Sequence, residues 1–416
     1  MRVRFKISDR TIMMFLFAIV LITKLQSRLA TPIFDDDIIL IFGAGGALLF
    51  WLFGSKSKIN PQLFGMFVLL TVYALIYRFL LNNQILANYV NSYFLAFVAY
   101  LMIVFGFAGY FSEKNLALTI CVVAYNIISI FLLICYMVYF DHFETFRNIR
   151  TFFFLQRQRS LFGFVQANTT ADICLAAFAL LFVQSILIKS EFLKIGKLQS
   201  RYNLISSIVI VVMLVSTASR GALLALFVMF GFYFYLTMED KFKSKQAIRI
   251  IKPLFFFVVG IVFVVYIYIS FIAEGRLDIS YRLRNFTVNL PTLISNNRLW
   301  SGWGFVDKAV FANGRIISGT QYVDNYYLFV LVSTGIIGCL FVGLFLVVLT
   351  ASIVKLYKKA YFTEYRYVFT VVLSILVEQY MFSVTQASFL FPSSMFSIIT
   401  MIVFLSSISV EKKLAL

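Results

Sequence analysis

The stretch YYLFVLVSTGIIGCLFVGLFLVVLTASIV, residues 326–354, contains no charged residue. A helix needs about 20 mainly apolar residues to cross a bilayer, so this stretch predicts a transmembrane helix. Eleven other apolar stretches predict further spans, at residues 11–25, 38–53, 63–81, 93–111, 116–140, 168–188, 202–216, 222–237, 251–271, 367–390 and 395–410. We therefore predict an all-α polytopic membrane protein of about 12 transmembrane helices, with residues 1–416 as a single integral membrane domain.

The composition excludes several classes of protein. Of the 416 residues, 62% are hydrophobic and 13% are charged, and the mean hydropathy of +0.93 lies far above that of a soluble domain. His142 is the only histidine, which excludes zinc sites built from two or three imidazoles. The four cysteines lie within apolar stretches without CxxC spacing, so we interpret them as packing residues. The sequence predicts neither a metal ion nor another cofactor.

The basic residues set the predicted orientation. With the N-terminus inside and an even number of spans, both termini lie in the cytoplasm, and every inner segment contains lysine or arginine, as the positive-inside tendency expects. The inner segments then hold 22 of the 36 basic residues, and 16 of these are lysines. Outside, 12 of the 14 basic residues are arginines. The positive-inside tendency counts lysine and arginine together, so this excess of arginine needs a cause of its own.

Ten of the twelve outer arginines fall in three segments. These are the loop 141–167, the turn 217–221 between two short predicted spans, and the long outer loop 272–325 between spans nine and ten. Their arginines are Arg147, Arg150, Arg157, Arg159, Arg220, Arg276, Arg282, Arg284, Arg298 and Arg315. The planar guanidinium matches phosphate oxygens in a bidentate way, which predicts binding of phosphate or pyrophosphate. The alternative, extension toward lipid headgroups, does not explain the clustering.

Asp324 and Asn325 stand where the long outer loop enters the tenth span. A carboxylate at this point is either a helix N-cap or a general base, and the sequence supports both interpretations equally. The nearby rings of Trp300, Trp303 and Tyr326 fit either stacking on sugars or anchoring at the membrane interface.

Two other ionisable residues are weaker candidates. His142, at the outer end of the fifth span, is an alternative base, although a lone histidine near an interface is more often structural. Glu378 lies within the eleventh span, where an ionisable group is a functional candidate by default. We expect Glu378 to pair with a buried arginine such as Arg78 or to bond to a neighbouring helix.

Short motifs along the second half of the chain occur in a recognisable order. They are FGFVQAN at 162–168, STASRGA at 216–222, the pair Arg282 and Arg284, GWGF at 302–305, DNYYL at 324–328 and GIIG at 335–338. This order resembles the O-antigen ligase/polymerase superfamily, which contains Wzy-type polysaccharide polymerases and their ligase relatives. The resemblance covers roughly residues 155–345 and rests on the order and shared outer placement of the motifs.

The resemblance implies a glycosyl transfer at the periplasmic face of the bacterial inner membrane. The donor would be a glycan on undecaprenyl pyrophosphate, and neither a metal nor a nucleotide sugar would be required. Arg220, with Arg282 or Arg284, would hold the pyrophosphate. The predicted site residues are Asp324, Arg220 and Arg284 for catalysis, and Arg159, Arg220, Arg282, Arg284, Arg298, Asn325 and Tyr326 for substrate binding.

Several alternatives remain beside the polymerase. Ligases of this superfamily, which pass the glycan to lipid A-core, commonly carry a histidine where this sequence has Asp324, and this difference favours the polymerase. A peptidoglycan polymerase of the shape/elongation/division type is more distant. A flippase or transporter is the alternative of another class, but the two halves show no internal repeat. The expected partners are lipid-linked oligosaccharide, membrane lipids, a chain-length regulator and a flippase, and not nucleic acid.

Overall fold

The computed structural model describes residues 8–33, 37–53, 60–80, 87–113, 117–139, 141, 144, 147–148, 158–241, 253–254, 260, 278–304, 323, 325–386 and 388–409. Within these ranges the chain forms helices, and the only β pairing is an isolated bridge between Leu29 and Phe164. The α-helices are α1 (Asp9–Gln26), α2 (Asp37–Phe53), α3 (Pro61–Leu75), α4 (Ala87–Glu113), α5 (Ala117–Tyr139), α6 (Ala167–Lys189), α7 (Lys197–Ser216), α8 (Arg220–Lys241), α9 (Asp278–Ser295), α10 (Tyr326–Ala360), α11 (Arg366–Thr385) and α12 (Met395–Ser409).

Eight of the described helices are long and apolar enough to cross a membrane. They are α3 with the π-helical turn that continues it to residue 79, α4, α5, α6, α7, α8, α10 and α11, while α2 and α12 are shorter apolar helices. The fold is thus that of an all-α polytopic membrane protein. The ninth predicted span, 251–271, lies almost entirely outside the described residues. The total of about 12 spans and the orientation therefore stay predictions.

Several predicted helix boundaries were wrong. The seventh and eighth spans looked short, yet α7 and α8 run over Lys197–Ser216 and Arg220–Lys241. A hydropathy pattern sees only the apolar part of a helix, whereas the backbone stays helical through its polar ends. The eleventh span was predicted to reach residue 390, but α11 ends at Thr385 because Gln386 is extended (φ −152°). The predicted outer loop 272–325 contains the helix α9.

The central helix α6 connects to α12 through a buried carboxylate. Asp172, which is 4% exposed, accepts hydrogen bonds from the Ser394 hydroxyl at 2.6 Å and from the backbone N–H groups of Met395 and Phe396 at 2.7 and 3.3 Å. The first N–H groups of a helix have no partner within the helix, so a carboxylate from another helix can satisfy them. Asp172 therefore fixes the start of α12 beside the start of α6.

One end of the bundle collects the helix termini that carry the predicted site. Side chains and backbone groups join the starts of α6, α8 and α10 with the ends of α7 and α11. The stretch 163–165 also pairs with residues 28–30 after α1, through Ala30 N–H to Gly163 O at 2.9 Å and Val165 N–H to Arg28 O at 3.1 Å. This end, which contains Arg159, Arg220 and Asn325, is called the arginine end below.

Candidate functional site at the arginine end

Arg220 follows a buried turn that reverses the chain between α7 and α8. Ala218 within the turn has φ 48°, a left-handed conformation that few non-glycine residues adopt. The Ala218 N–H still bonds to Val215 O at 3.0 Å, and the Ser219 N–H reaches the Thr217 hydroxyl at 3.3 Å. All residues from 216 to 219 are at most 5% exposed, and Arg220 is 8% exposed. The turn therefore holds the first residue of α8 in a fixed, largely enclosed position.

Arg159 is bonded directly to this turn. Its Nε donates to the Thr217 carbonyl oxygen at 2.9 Å, and its Nη2 donates to the Asn168 side-chain oxygen near the start of α6. The Ser219 hydroxyl donates to the same Asn168 oxygen at 3.2 Å. The sequence placed Arg159 and Arg220 in two separate outer segments, and the structure joins those segments through Asn168 and Thr217.

Asn148 adds a second connection that the sequence analysis did not identify. Its side-chain amide donates to the Ser160 hydroxyl at 2.7 Å and to the Ser216 carbonyl at 3.2 Å, and the Ser160 N–H donates to the same carbonyl at 3.1 Å. Arg147, one residue earlier, forms a 3.9 Å ion pair with Glu144, with both side chains about half exposed. Of these two adjacent residues, Asn148 thus supports the turn and Arg147 meets solvent.

The starts of α8 and α10 meet at the end of α11. A Cβ on Gly221 would lie 2.4 Å from the Thr385 Oγ1 atom and 2.7 Å from its Cβ, so only glycine permits this approach. The Asn325 amide donates to the Val384 carbonyl at 3.0 Å, and its oxygen accepts from the Leu328 N–H at 3.0 Å. Gly221, which follows Arg220, and Asn325 therefore contact two adjacent residues of α11, Thr385 and Val384.

The structure shows which residue caps the start of α10. Asn325 is the N-cap of α10 because its side chain accepts the Leu328 N–H. The capping role that the sequence allowed for Asp324 is thus filled by Asn325, while Asp324 itself lies outside the described residues. Tyr326 is 3% exposed and packs against Phe389 with ring centroids 6.1 Å apart. This burial favours support of the α10 start over direct substrate contact.

The remaining predicted arginines are placed only in part. Arg282 and Arg284 belong to α9, but their side chains fall outside the described atoms, as do Arg150, Arg157, Arg276, Arg315 and the alternative base His142. Arg298 is half-buried after the end of α9, where its N–H bonds to Leu293 O at 2.8 Å. The described geometry therefore brings together Arg159, Arg220 and Asn325, and leaves the convergence of the other side chains as a prediction.

The arrangement suits an anion. The Arg159 guanidinium and residue Arg220 lie at the arginine end together with the N-terminus of α8, whose helix dipole and first N–H groups favour negative charge. In the part of the chain that the structure describes, no three His, Cys, Asp or Glu side chains come together as metal ligands would.

Comparison with known proteins bears directly on this end of the molecule. The profile of the O-antigen ligase family matches residues 205–343, which cover Arg220, Arg282, Arg284, Asp324 and Asn325, whereas Arg159 and Asn168 precede the match. No curated protein matches the sequence. The match spans 139 of the 416 residues. It confirms, over residues 205–343, the resemblance inferred from the motifs.

Proposed function

We propose that this protein is a polysaccharide polymerase of the bacterial inner membrane. It transfers a growing glycan from undecaprenyl pyrophosphate onto a lipid-linked repeat unit at the periplasmic face, in O-antigen or capsule synthesis. The observation that carries the proposal is the hydrogen-bonded junction of Arg159, Asn168 and the Thr217–Ser219 turn, which holds two arginines at one end of a membrane bundle. The O-antigen ligase family match supports glycosyl transfer of this general type.

The arginines stabilise the leaving group in this mechanism. When the bond between the anomeric carbon and pyrophosphate breaks, negative charge develops on the departing phosphate oxygens. Arg220 and Arg159 face this charge together with the N-terminus of α8, and Arg282, Arg284 and Arg298 complete the cationic site. Preorganised donors in a poorly hydrated site stabilise such charge far more than water does. No metal ion takes part in the proposed step.

The second requirement is to deprotonate the acceptor. The acceptor hydroxyl oxygen forms a bond to the anomeric carbon, and its proton passes to the Asp324 carboxylate. Asn325 supports this role because it caps α10 and binds Val384, which fixes the backbone directly after Asp324. The aspartate in place of the histidine common in ligases favours the polymerase. The ligase that uses lipid A-core as acceptor remains the second candidate, and a lipid-linked oligosaccharide flippase is the candidate of another class.

The test is product analysis with purified protein in vesicles that contain the lipid-linked repeat units of the source strain. A polymerase yields a ladder of longer lipid-linked glycans, a ligase needs added lipid A-core and labels it, and a flippase leaves the glycan length unchanged. We expect Arg220→Ala and Asp324→Asn to abolish the ladder. Arg147→Ala is the matched control because Arg147 is a half-exposed arginine paired with Glu144. Normal chain lengths in both site variants would overturn the assignment.

A further inference from the structure

The helix α10 is broken within its apolar length. Gly335 has φ 63° and ψ −164°, so the helical hydrogen bonds stop there and resume afterwards. A membrane interior offers no water to the released backbone groups, so irregular backbone at this depth must bond to other parts of the protein. The apolar stretch 326–354 predicts one uninterrupted span, so this break was not expected from the sequence.

The released groups are bonded by the chain that follows α9. Residues 298–304, here the docking segment, lie against the break and form four backbone hydrogen bonds with it. These are Trp303 N–H to Val332 O at 3.0 Å, Gly304 N–H to Ser333 O at 2.9 Å, Ile336 N–H to Leu299 O at 3.0 Å and Ile337 N–H to Trp300 O at 3.2 Å. Both sides of the break thus bond to one segment of the long outer loop.

Helix α3 and the π-helical turn after it form two further hydrogen bonds at the break. The Tyr77 hydroxyl donates to the Thr334 carbonyl oxygen, and the Tyr73 hydroxyl donates to the Thr334 hydroxyl at 3.4 Å. Broken helices in membrane proteins often leave backbone groups to bind an ion or a substrate. Here the groups on both sides of Gly335 bond to protein instead, so the break is a place where the segment docks.

Two glycines make the contact possible. A Cβ on Gly302 would lie 2.4 Å from the Ser333 carbonyl carbon, and a Cβ on Gly335 would lie 2.4 Å from the Trp300 carbonyl carbon. Both glycines have positive φ, of 67° and 63°, which adds strain for any other residue. A side chain at either position would meet backbone atoms, which have little freedom to move aside. The contact therefore depends on glycine on both of its faces.

We propose that Gly302 and Gly335 are positioning residues that fix the long outer loop on α10 and thereby complete the substrate site. The catalytic part of this proposal rests on the proposed function. The docking segment follows α9, which carries Arg282 and Arg284, and begins with Arg298, whose carbonyl accepts the Gly302 N–H at 2.7 Å. On its other side, residues 326–334 form a short helix between Asn325 and the break. The contact therefore fixes the position of the loop that carries these arginines relative to the residues that precede α10.

The docking is measurable without any substrate. Trp303 is 8% exposed in the contact, Trp300 is 64% exposed and Trp51 is fully buried elsewhere. In full-length protein with Trp300→Phe, the emission of Trp303 is therefore shielded from the neutral quencher acrylamide. We expect Gly302→Ala and Gly335→Ala to roughly double the quenching constant, because the added Cβ displaces the segment from α10. Gly343→Ala is the control, since no described atom lies within 4 Å of a Cβ at that position of the same helix.

Polymer formation is then measured on the same variants. We expect a loss of roughly tenfold to a hundredfold for both contact glycines and none for Gly343→Ala, since small misplacements of binding groups have effects of this size. Gly302→Ala lies outside the helix and serves if Gly335→Ala does not fold. Unchanged quenching, or increased quenching with full polymer formation, would overturn the proposal. If Arg220→Ala and Asp324→Asn also retain activity, the proposed function fails, and quenching still reports whether the segment docks.

Discussion

The Nε of Arg159 donates a hydrogen bond to the carbonyl oxygen of Thr217 at 2.9 Å, across 58 residues of sequence. This bond, with that from Nη2 to Asn168, uses two donors of the guanidinium to fix the arginine against the turn before Arg220. The planar guanidinium holds these donors in a fixed fork, whereas a lysine ammonium is a compact charge with rotatable donors. Arg159 thus supports the turn through its geometry as well as by its charge.

We expect Arg159→Lys to reduce polymer formation roughly tenfold although the charge is retained, because a single ammonium cannot reach both acceptors in the same geometry. The measurement is the initial rate of ladder formation with purified protein in vesicles. Arg147→Lys should leave the rate unchanged, since Arg147 lies half exposed in a surface ion pair. A rate for Arg159→Lys equal to that of the control would show that charge alone is sufficient at this position.

The close approach of α8 and α11 predicts a stability effect. Gly221→Ala places a Cβ 2.4 Å from the Thr385 Oγ1 atom, and overpacking of this kind costs about 1–3 kcal/mol. We expect a lower thermal unfolding midpoint and less polymer, because the displaced residue follows Arg220. The double variant Gly221→Ala/Thr385→Gly removes the opposing side chain and should recover part of the midpoint. No recovery would mean that the two helices are not in this contact. Gly65→Ala, with no described atom nearby, is the control.

Hydropathy was sufficient to predict the helical class, because long apolar stretches have few alternatives in a bilayer. It also placed the turn at Arg220 between two spans. The break at Gly335 was missed, since a glycine within an apolar stretch has the same appearance whether the helix continues or stops. The docking segment was missed for a second reason. Its four bonds to α10 join backbone atoms, which carry no side-chain signature in the sequence.

The sequence predicted that Arg159 and the turn at Arg220 belong to one candidate site, but it did not predict the bonds that join them. Clustering of arginine identified Arg159 and Arg220 as members of one face. The residues that join them, Asn168 and Asn148, are common polar residues whose partners lie far along the chain. The sequence left Asp324 as either the N-cap of α10 or a general base, and it did not single out Asn325, although asparagine caps helices as well as aspartate does. Only the bond from Leu328 N–H to Asn325 decides it.

Asn325 has two separable roles that substitutions can distinguish. Asn325→Ala removes both the cap of α10 and the bond to Val384, and loss of a cap costs about 1 kcal/mol. Asn325→Asp keeps the cap acceptor and loses the amide donor. We expect both variants to lower polymer formation, and only the alanine variant to lower the thermal midpoint clearly. If Asn325→Asp retains full activity, the bond to α11 does not contribute to the site.

The hydrogen bonds that Asp172 accepts predict an effect on stability that can be measured separately from activity. Asp172→Ala removes the acceptor of three hydrogen bonds and leaves the Met395 and Phe396 N–H groups buried without it, at a cost of about 1–3 kcal/mol. Asp172→Asn keeps an oxygen acceptor and should cost less. Thermal unfolding followed by size-exclusion chromatography measures this order. Equal midpoints for the alanine variant and the wild type would show that α12 does not depend on this cap.

Glu378, in contrast to Asp172, is a buried carboxyl that does not bond to the partner predicted for it. It is fully buried, and neither of its oxygens has a hydrogen-bond partner among the described residues. The predicted pairing with Arg78 is wrong, since the Arg78 guanidinium lies over the Phe79 ring at 5.3 Å from its centroid. Unsatisfied buried polar atoms destabilise a fold, so removing them is often neutral or favourable.

We expect Glu378→Gln and Glu378→Leu to unfold at or above the wild-type temperature with polymer formation retained. Thr400→Val, which removes the bond to the neighbouring Gln379 at 3.2 Å, should instead lower the midpoint. A variant of Glu378 that folds normally and makes no polymer would contradict this expectation and assign the carboxyl a part in the reaction.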